Sequence, residues 1–128
     1  MTMPKALVVD DDSGLTTALA LRLGAAGFQA FTANTADDAS SIALHHRPDV
    51  IILDIDMPIY SGLEFQACLK FADRGRNIPI VILSGQDSNL NRLTAFQQGA
   101  AAFIAKPYDW PSLLGTIHSV IGFQGSTV

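Results

Sequence analysis

The sequence predicts a three-layer, doubly wound (βα)5 fold, a parallel five-stranded sheet with helices on both faces, and three observations carry that prediction. Short apolar runs alternate five times with stretches of helical periodicity, the pattern of successive right-handed βαβ crossovers. One run, Val50–Leu53, is a block of branched apolar residues with no polar position, as expected of a central strand that has no solvent face. Four of the runs end in polar groups: Asp10 and Asp11 after the first, Asp54 after the third, Ser84 after the fourth and Lys106 after the fifth. Ligands of open α/β sheets lie outside the carboxyl ends of the strands, so these positions are the candidates for chemistry.

Taken in order, β1 is expected over Lys5–Val9 and runs straight into Asp10, Asp11 and Asp12. Leu15, Leu19 and Leu23, joined by Ala18, recur with helical spacing and define α1, capped by Asp12 or Ser13 and ending at Gly24 or Gly27. The partly alternating Phe28–Ala33 fits a strand near the sheet edge, β2. Helix α2 begins at Thr35, with Asp37 and Asp38 in its first turn and His45, His46 and Arg47 in its last, each sign placed favourably for the macrodipole. Adjacent helical histidines point about 100° apart, which disfavours them as a metal pair. After β3, which ends at Asp54, a loop over Met57–Gly62 leads to α3, expected over Leu63–Phe71. A turn at Asp73–Asn77 precedes β4, Ile78–Leu83. Helix α4 places Leu90, Leu93 and Phe96 on one face and stops at Gly99, β5 is Ala102–Ala105, and α5 over Trp110–Ile121 carries the clearest stripe, Leu113, Leu114, Ile117, Val120 and Ile121. Pro111 sits near the start of α5, where its missing N–H costs little.

The 128 residues suffice for one domain that buries about two thirds of its unfolded surface. We place that domain at residues 1–122, with 123–128 as a tail or the start of a linker. A 48% hydrophobic content with 16% charged residues excludes a disordered chain. A net charge of −4 supplies no broad basic surface for direct nucleic-acid binding. No apolar run reaches the roughly 18 residues of a membrane span, the start lacks a signal peptide's regions, and Cys68 has no second cysteine to pair with, so the expectation is a soluble cytoplasmic protein with no membrane partner.

If the strand ends lie side by side, three carboxylates, a hydroxyl and an ammonium share one rim. Three acids and one lysine sum to about −2, which calls for a retained proton or a divalent cation. An all-oxygen donor set selects a hard ion, Mg²⁺ or Mn²⁺. With the charge balanced, Asp54 can attack phosphorus and become an aspartyl phosphate, while Lys106 and Ser84 meet the phosphoryl oxygens. Gly85, without a side chain, leaves the approach open.

Over almost its whole length the chain resembles the receiver domain of two-component response regulators, a CheY-like, flavodoxin-like fold with strand order 2-1-3-4-5. The resemblance rests on VVDDD, LDIDMP, ILSG and AAFIAKP. It implies Asp54 as phosphoacceptor, Asp10 and Asp11 as Mg²⁺ ligands, and the Asp56 backbone carbonyl completing the protein ligands. It further implies Ser84 as the hydroxyl switch, Lys106 as the phosphate-binding lysine, and Phe103 as the aromatic that rotates with the switch. Met57, Pro58 and Gly62 match the loop that follows the acceptor. Asp12 lies beyond the family's acidic pair and is read as a helix cap or solvated acid. Phe103 has no hydroxyl, so its switching would rest on packing, and Asp56 and Gln86 at the site's edge are expected to tune phosphate lifetime.

The resemblance implies a histidine kinase or phosphotransfer protein as donor and an output domain or target protein that reads the α4-β5-α5 face through a population shift. Between Asp87 and Gly122 the only charges are Asp87, Arg92, Lys106 and Asp109, too few for the interlocking salt bridges of winged-helix regulator dimers. A monomer or a weak phosphorylation-dependent dimer is expected, either as a stand-alone receiver or as a piece of a longer regulator or hybrid kinase. The competing reading is a haloacid-dehalogenase-like Mg²⁺-dependent phosphatase. Its acidic metal ligands follow the lysine, whereas here only Asp109 does. A flavodoxin-like cofactor binder would need a glycine- or hydroxyl-rich phosphate loop after β1, where this chain has acids.

Overall fold

Five strands pair in parallel in the order β2-β1-β3-β4-β5, the order implied by the family resemblance. The computed structural model describes residues 3–54, 78–85, 89–97 and 99–125, the side chains of 89–91 and 123–125 excepted. The expected α3, the Met57–Gly62 loop, Cys68, the Asp73–Asn77 turn and residues Asp56, Gln86 and Asp87 lie outside the described residues. The strands are β1 Lys5–Val9, β2 Gln29–Ala33, β3 Val50–Asp54, β4 Ile80–Ser84 and β5 Ala102–Ala105. The described helices are α1 Ser13–Ala25, α2 Ala36–His46, α4 Asn89–Gln97 and α5 Trp110–Gly125.

Both β3 and β4 are buried along their whole length, as their unbroken apolar sequences require. Strand β4 starts two residues later than expected because Pro79 has no N–H for the ladder, although its carbonyl accepts from Ile51 N at 3.0 Å. The pairings Val9↔Leu53, Asp54↔Leu83 and Ser84↔Ala105 bring four strand ends to one rim.

The sheet divides the core in two. On one side Val8, Val50, Ile52, Val81 and Leu83 meet Leu19 and Leu23 of α1 and Leu113 and Ile117 of α5. On the other, Leu7, Ile51, Leu53, Ile80, Ile82 and Phe103 meet Ala36, Ala39 and Ala43 of α2 and Ala95 of α4. Each leucine-sized side chain removed from water contributes roughly 1.5–3 kcal/mol, so the α1/α5 side gains more from its helices.

Two expected helix faces are corrected. Helix α1 packs through Thr16, Leu19 and Leu23, while Leu15 is 55% exposed and Ala18 also faces outward. In α4, Leu93 and Phe96 are exposed, the Leu90 side chain lies outside the described ones, and Ala95 alone among the described side chains is buried against the sheet. Strand side chains already fill the space beneath α4, so only a small residue fits there. The α5 stripe is borne out, but the helix continues to Gly125, because a packing stripe marks contact with the core rather than the last backbone hydrogen bond.

The caps follow the sequence. Asp12 Oδ1 accepts from Gly14 N at 2.8 Å and Leu15 N at 3.2 Å, and Thr35 Oγ1 accepts from Asp38 N at 3.1 Å. Asp109 Oδ2 accepts from Ser112 N at 2.9 Å at the start of α5. Gly99 stops α4 with φ +95°, a backbone conformation that side chains with a Cβ rarely adopt. The two histidines are occupied structurally: His45 Nδ1 lies 2.8 Å from the Ser41 carbonyl, and the His46 ring stacks on Phe31 at 4.6 Å.

Candidate functional site

Side chains two residues apart on a strand share a face, so the strand ends sort themselves between the two sides of the sheet. Asp10 continues the row of Val8, Asp54 that of Ile52, and Lys106 that of Ile104, all on the α1/α5 side. Ser84 follows Ile82, which pairs with Phe103, onto the α2/α4 side. The two carboxylates and the ammonium therefore occupy one face, and the two expected switch residues the other.

At the centre, Lys106 Nζ donates to Asp54 Oδ2 at 2.7 Å. Lysine reaches across β4 to do so, with its own backbone held in place by Lys106 N donating to the Ser84 carbonyl at 2.8 Å. The Asp54 side chain is nearly buried, and Lys106 remains partly open to solvent. A short, charge-assisted contact of this kind fixes both groups.

Asp10 is 8% exposed and its environment raises its pKa from the ordinary 3.8 to about 7. Burial is the largest cause, opposed by a hydrogen bond from Asp12 N, which lies 3.1 Å from Asp10 Oδ1. The Asp54 charge and side-chain hydrogen bonds with Asp11 and Asp54 raise it further. Below about pH 7 Asp10 thus keeps its proton, one of the two outcomes that the excess negative charge demanded.

Among the described residues no three acidic, imidazole or thiol side chains stand as a ready metal cage. The Asp54 carboxylate is engaged by Lys106, and the expected fourth donor, the Asp56 carbonyl, lies outside the described residues. The donor chemistry nevertheless fits a hard divalent ion: carboxylates close enough to share a proton can exchange it for a cation.

Ser84 is completely buried at the end of β4, and Gly85, directly after it, is exposed. Phe103 is buried in the α2/α4 core, with the Arg92 guanidinium 4.8 Å from its ring centroid. Asp11 is exposed, and Asp12 serves as the α1 cap.

Two supporting residues escaped the sequence reading. Asn34 Nδ2 donates to the Asp10 carbonyl at 2.8 Å and to Thr16 Oγ1 at 3.2 Å, and the buried Thr16 hydroxyl donates to the Ser13 carbonyl at 3.1 Å. Together they tie the end of β2 and the first turn of α1 to the acidic end of β1. Their one signal is a polar residue directly after β2, a pattern common in loops.

A cavity of about 410 Å³ opens at the rim. Asp10, Asp54 and Lys106 form its polar end, and Leu15, Pro107 and Tyr108 belong to its wall.

A doubly wound 2-1-3-4-5 sheet carrying acids after β1 and β3 and a lysine after β5 is the arrangement of a phosphoacceptor domain. The response regulator receiver domain model matches residues 6–118, and the chain belongs to that family. It is a two-component receiver, and the phosphatase reading falls. It is 33% identical to the transcriptional regulatory protein PrrA of Mycobacterium bovis over 127 residues, covering 99% of this chain and 54% of that protein. The chain thus spans about half the length of that relative. It is also 33% identical to the polar-differentiation response regulator DivK of Brucella anthropi, covering 94% of this chain and 98% of the relative. The chemotaxis protein CheY4 of Vibrio cholerae superposes with a TM-score of 0.88 at 30% identity, over 93% of this chain and 99% of that one.

Proposed function

We propose that Asp54 is the residue that accepts the phosphoryl group, from a phosphohistidine on a histidine kinase or phosphotransfer protein. The observation that carries this is the 2.7 Å pair between Asp54 Oδ2 and Lys106 Nζ, in one cavity with the buried Asp10. A carboxylate oxygen of Asp54 attacks phosphorus, the P–N bond to the donor imidazole breaks, and the phosphoryl oxygens gain the Lys106 ammonium as a partner. Asp10, Asp11, Asp54 and the Asp56 carbonyl are the residues that would hold Mg²⁺, or Mn²⁺ in its place. Bound there, the ion neutralises charge that builds on the phosphoryl oxygens. Ser84 supplies a hydroxyl from the other face of the sheet, and with Phe103 passes the change to α4. Gly85 keeps the approach open, while Asp56 and Gln86 set the lifetime of the phosphate.

The chain's chemistry is confined to forming and hydrolysing its own aspartyl phosphate. Its reader is an output domain or target protein docking on α4, β5 and α5, a reading supported by the exposed Leu93 and Phe96 on α4. No helix among the described residues is long and apolar enough to cross a membrane, in keeping with a cytoplasmic relay. We place the receiver unit at residues 1–122 and read it as a monomer or a weak phosphorylation-dependent dimer.

The test is intact mass spectrometry after incubation with acetyl phosphate, with and without Mg²⁺, on wild type and Asp54→Asn. One phosphoryl group gained only with metal and only by wild type is expected. Equal labelling of both proteins would remove Asp54 from its role.

A further inference from the structure

The cavity at the rim is larger than a phosphoryl group requires. If each of three phosphoryl oxygens takes a water's share of volume, about 30 Å³, the group fills on the order of 90 Å³, against the 410 Å³ observed. The remainder is apolar: beyond Asp10, Asp54 and Lys106 the lining includes Leu15, Leu19, Ile52, Leu83, Pro107 and Tyr108. Leu19, Ile52 and Leu83 belong to the buried core, so the cavity reaches down between α1 and the sheet. Leu15 and Pro107 are exposed and form the mouth. A large apolar side chain left 55% exposed on the wall of the cavity that holds Lys106 has gained little from folding, which leaves its apolar surface available to a ligand.

We infer that this site takes small phosphoryl donors whose leaving group carries an apolar body, with aryl acyl phosphates as the chemical class, in preference to donors as small as acetyl phosphate. The inference rests on Asp54 being the acceptor. In the transfer, an Asp54 carboxylate oxygen forms the new O–P bond and the bond from phosphorus to the acyl oxygen breaks. The arylcarboxylate departs with that electron pair, and no proton, oxidant or reductant enters the balance. The phosphoryl end meets Lys106, while the aryl body covers Leu15 and the Pro107–Tyr108 wall. Displacement at phosphorus is in line, so the leaving group lies on the far side of phosphorus from Asp54.

The test compares benzoyl phosphate with acetyl phosphate, both with Mg²⁺, reading the rate of single phosphoryl gain by intact mass on wild type, Leu15→Gln, Leu15→Ala and Asp54→Asn. Intrinsic donor reactivity cancels when the benzoyl-to-acetyl rate ratio is compared between proteins. Leu15 is half exposed, so both substitutions leave the core intact. The ratio is expected to fall about fivefold in Leu15→Gln, the effect of losing roughly one methylene or two of apolar contact, and less in Leu15→Ala. A ratio unchanged in both variants overturns the inference while Asp54 remains the acceptor. Labelling of Asp54→Asn, or no labelling of wild type by either donor, overturns the acceptor assignment and the inference with it.

Discussion

Among the described residues, the fully buried helix side chains on the α1/α5 side of the sheet are large, Leu19, Leu23, Leu113 and Ile117, whereas those on the α2/α4 side are alanines, with Ile42 of α2 partly buried beside them, and the strands supply most of the bulk there. A leucine seated among strand side chains cannot slide without opening a cavity, at a cost of roughly 2–5 kcal/mol per residue. An alanine contact loses far less when its helix shifts. Among the described side chains of α4, only Ala95 is buried. Asp10, Asp54 and Lys106 lie on the leucine side, Ser84 and Phe103 on the alanine side. The proposed reacting groups are thus held by the stiffer packing, and the proposed response leaves through a helix with one buried residue among its described side chains.

That contrast can be broken or sharpened by substitution. The largest effect is expected from Leu23→Ala, at a completely buried α1 position: about 3 kcal/mol of stability lost in urea unfolding. Ala39→Gly, equally buried on α2, should lose only about 1 kcal/mol, and equal losses would remove the distinction.

Next is the pH dependence of Asp10. Its folded pKa is raised, so the native state keeps a proton that the unfolded chain has released between about pH 4 and pH 7. Stability from this group is full below pH 4 and is lost as pH rises through 7. Asp10→Asn should abolish that slope when unfolding curves are subtracted from wild type across this range. It should also blunt the stabilisation by Mg²⁺ measured at pH 8. Two residues further on, Asp12→Ala should cost about 1 kcal/mol by uncapping α1, with the midpoint of urea unfolding as the readout. Arg92→Ala should cost least, about 0.5–1 kcal/mol, by removing the guanidinium from the Phe103 ring, and should broaden Phe103 ring resonances in NMR spectra.

Much of this organisation is legible in the residues themselves. The unbroken apolar blocks of β3 and β4 announce strands buried on both faces, and the α5 stripe announces its packed side. The chemistry is legible because alternating strands and helices put every strand's carboxyl end at the same rim. Strand order is not contained in periodicity, and the reach of Lys106 to Asp54 across β4 needed that order, which came from the motifs. Leu19 and Leu23 of the α1 stripe pack inward, but Leu15 at its start and Leu93 and Phe96 of α4 do not. Leucine periodicity marks an apolar face, but whether it turns inward depends on how far the strands already fill the space below. Leu93 and Phe96 face outward, whereas Leu15 borders an open cavity at the rim. Asn34 and Thr16 act through two hydrogen bonds between distant segments, a relation that no local pattern encodes.

The difference between the two faces is tested most directly by methyl NMR of the protein before and after phosphorylation of Asp54 with Mg²⁺ present. The alanine methyls of Ala95 and Ala100 are expected to shift, while Leu23, Leu113 and Ile117, away from the rim on the other face, hold their positions. Larger shifts at Leu23, Leu113 and Ile117 than at Ala95 would contradict a signal that leaves through the alanine-packed side.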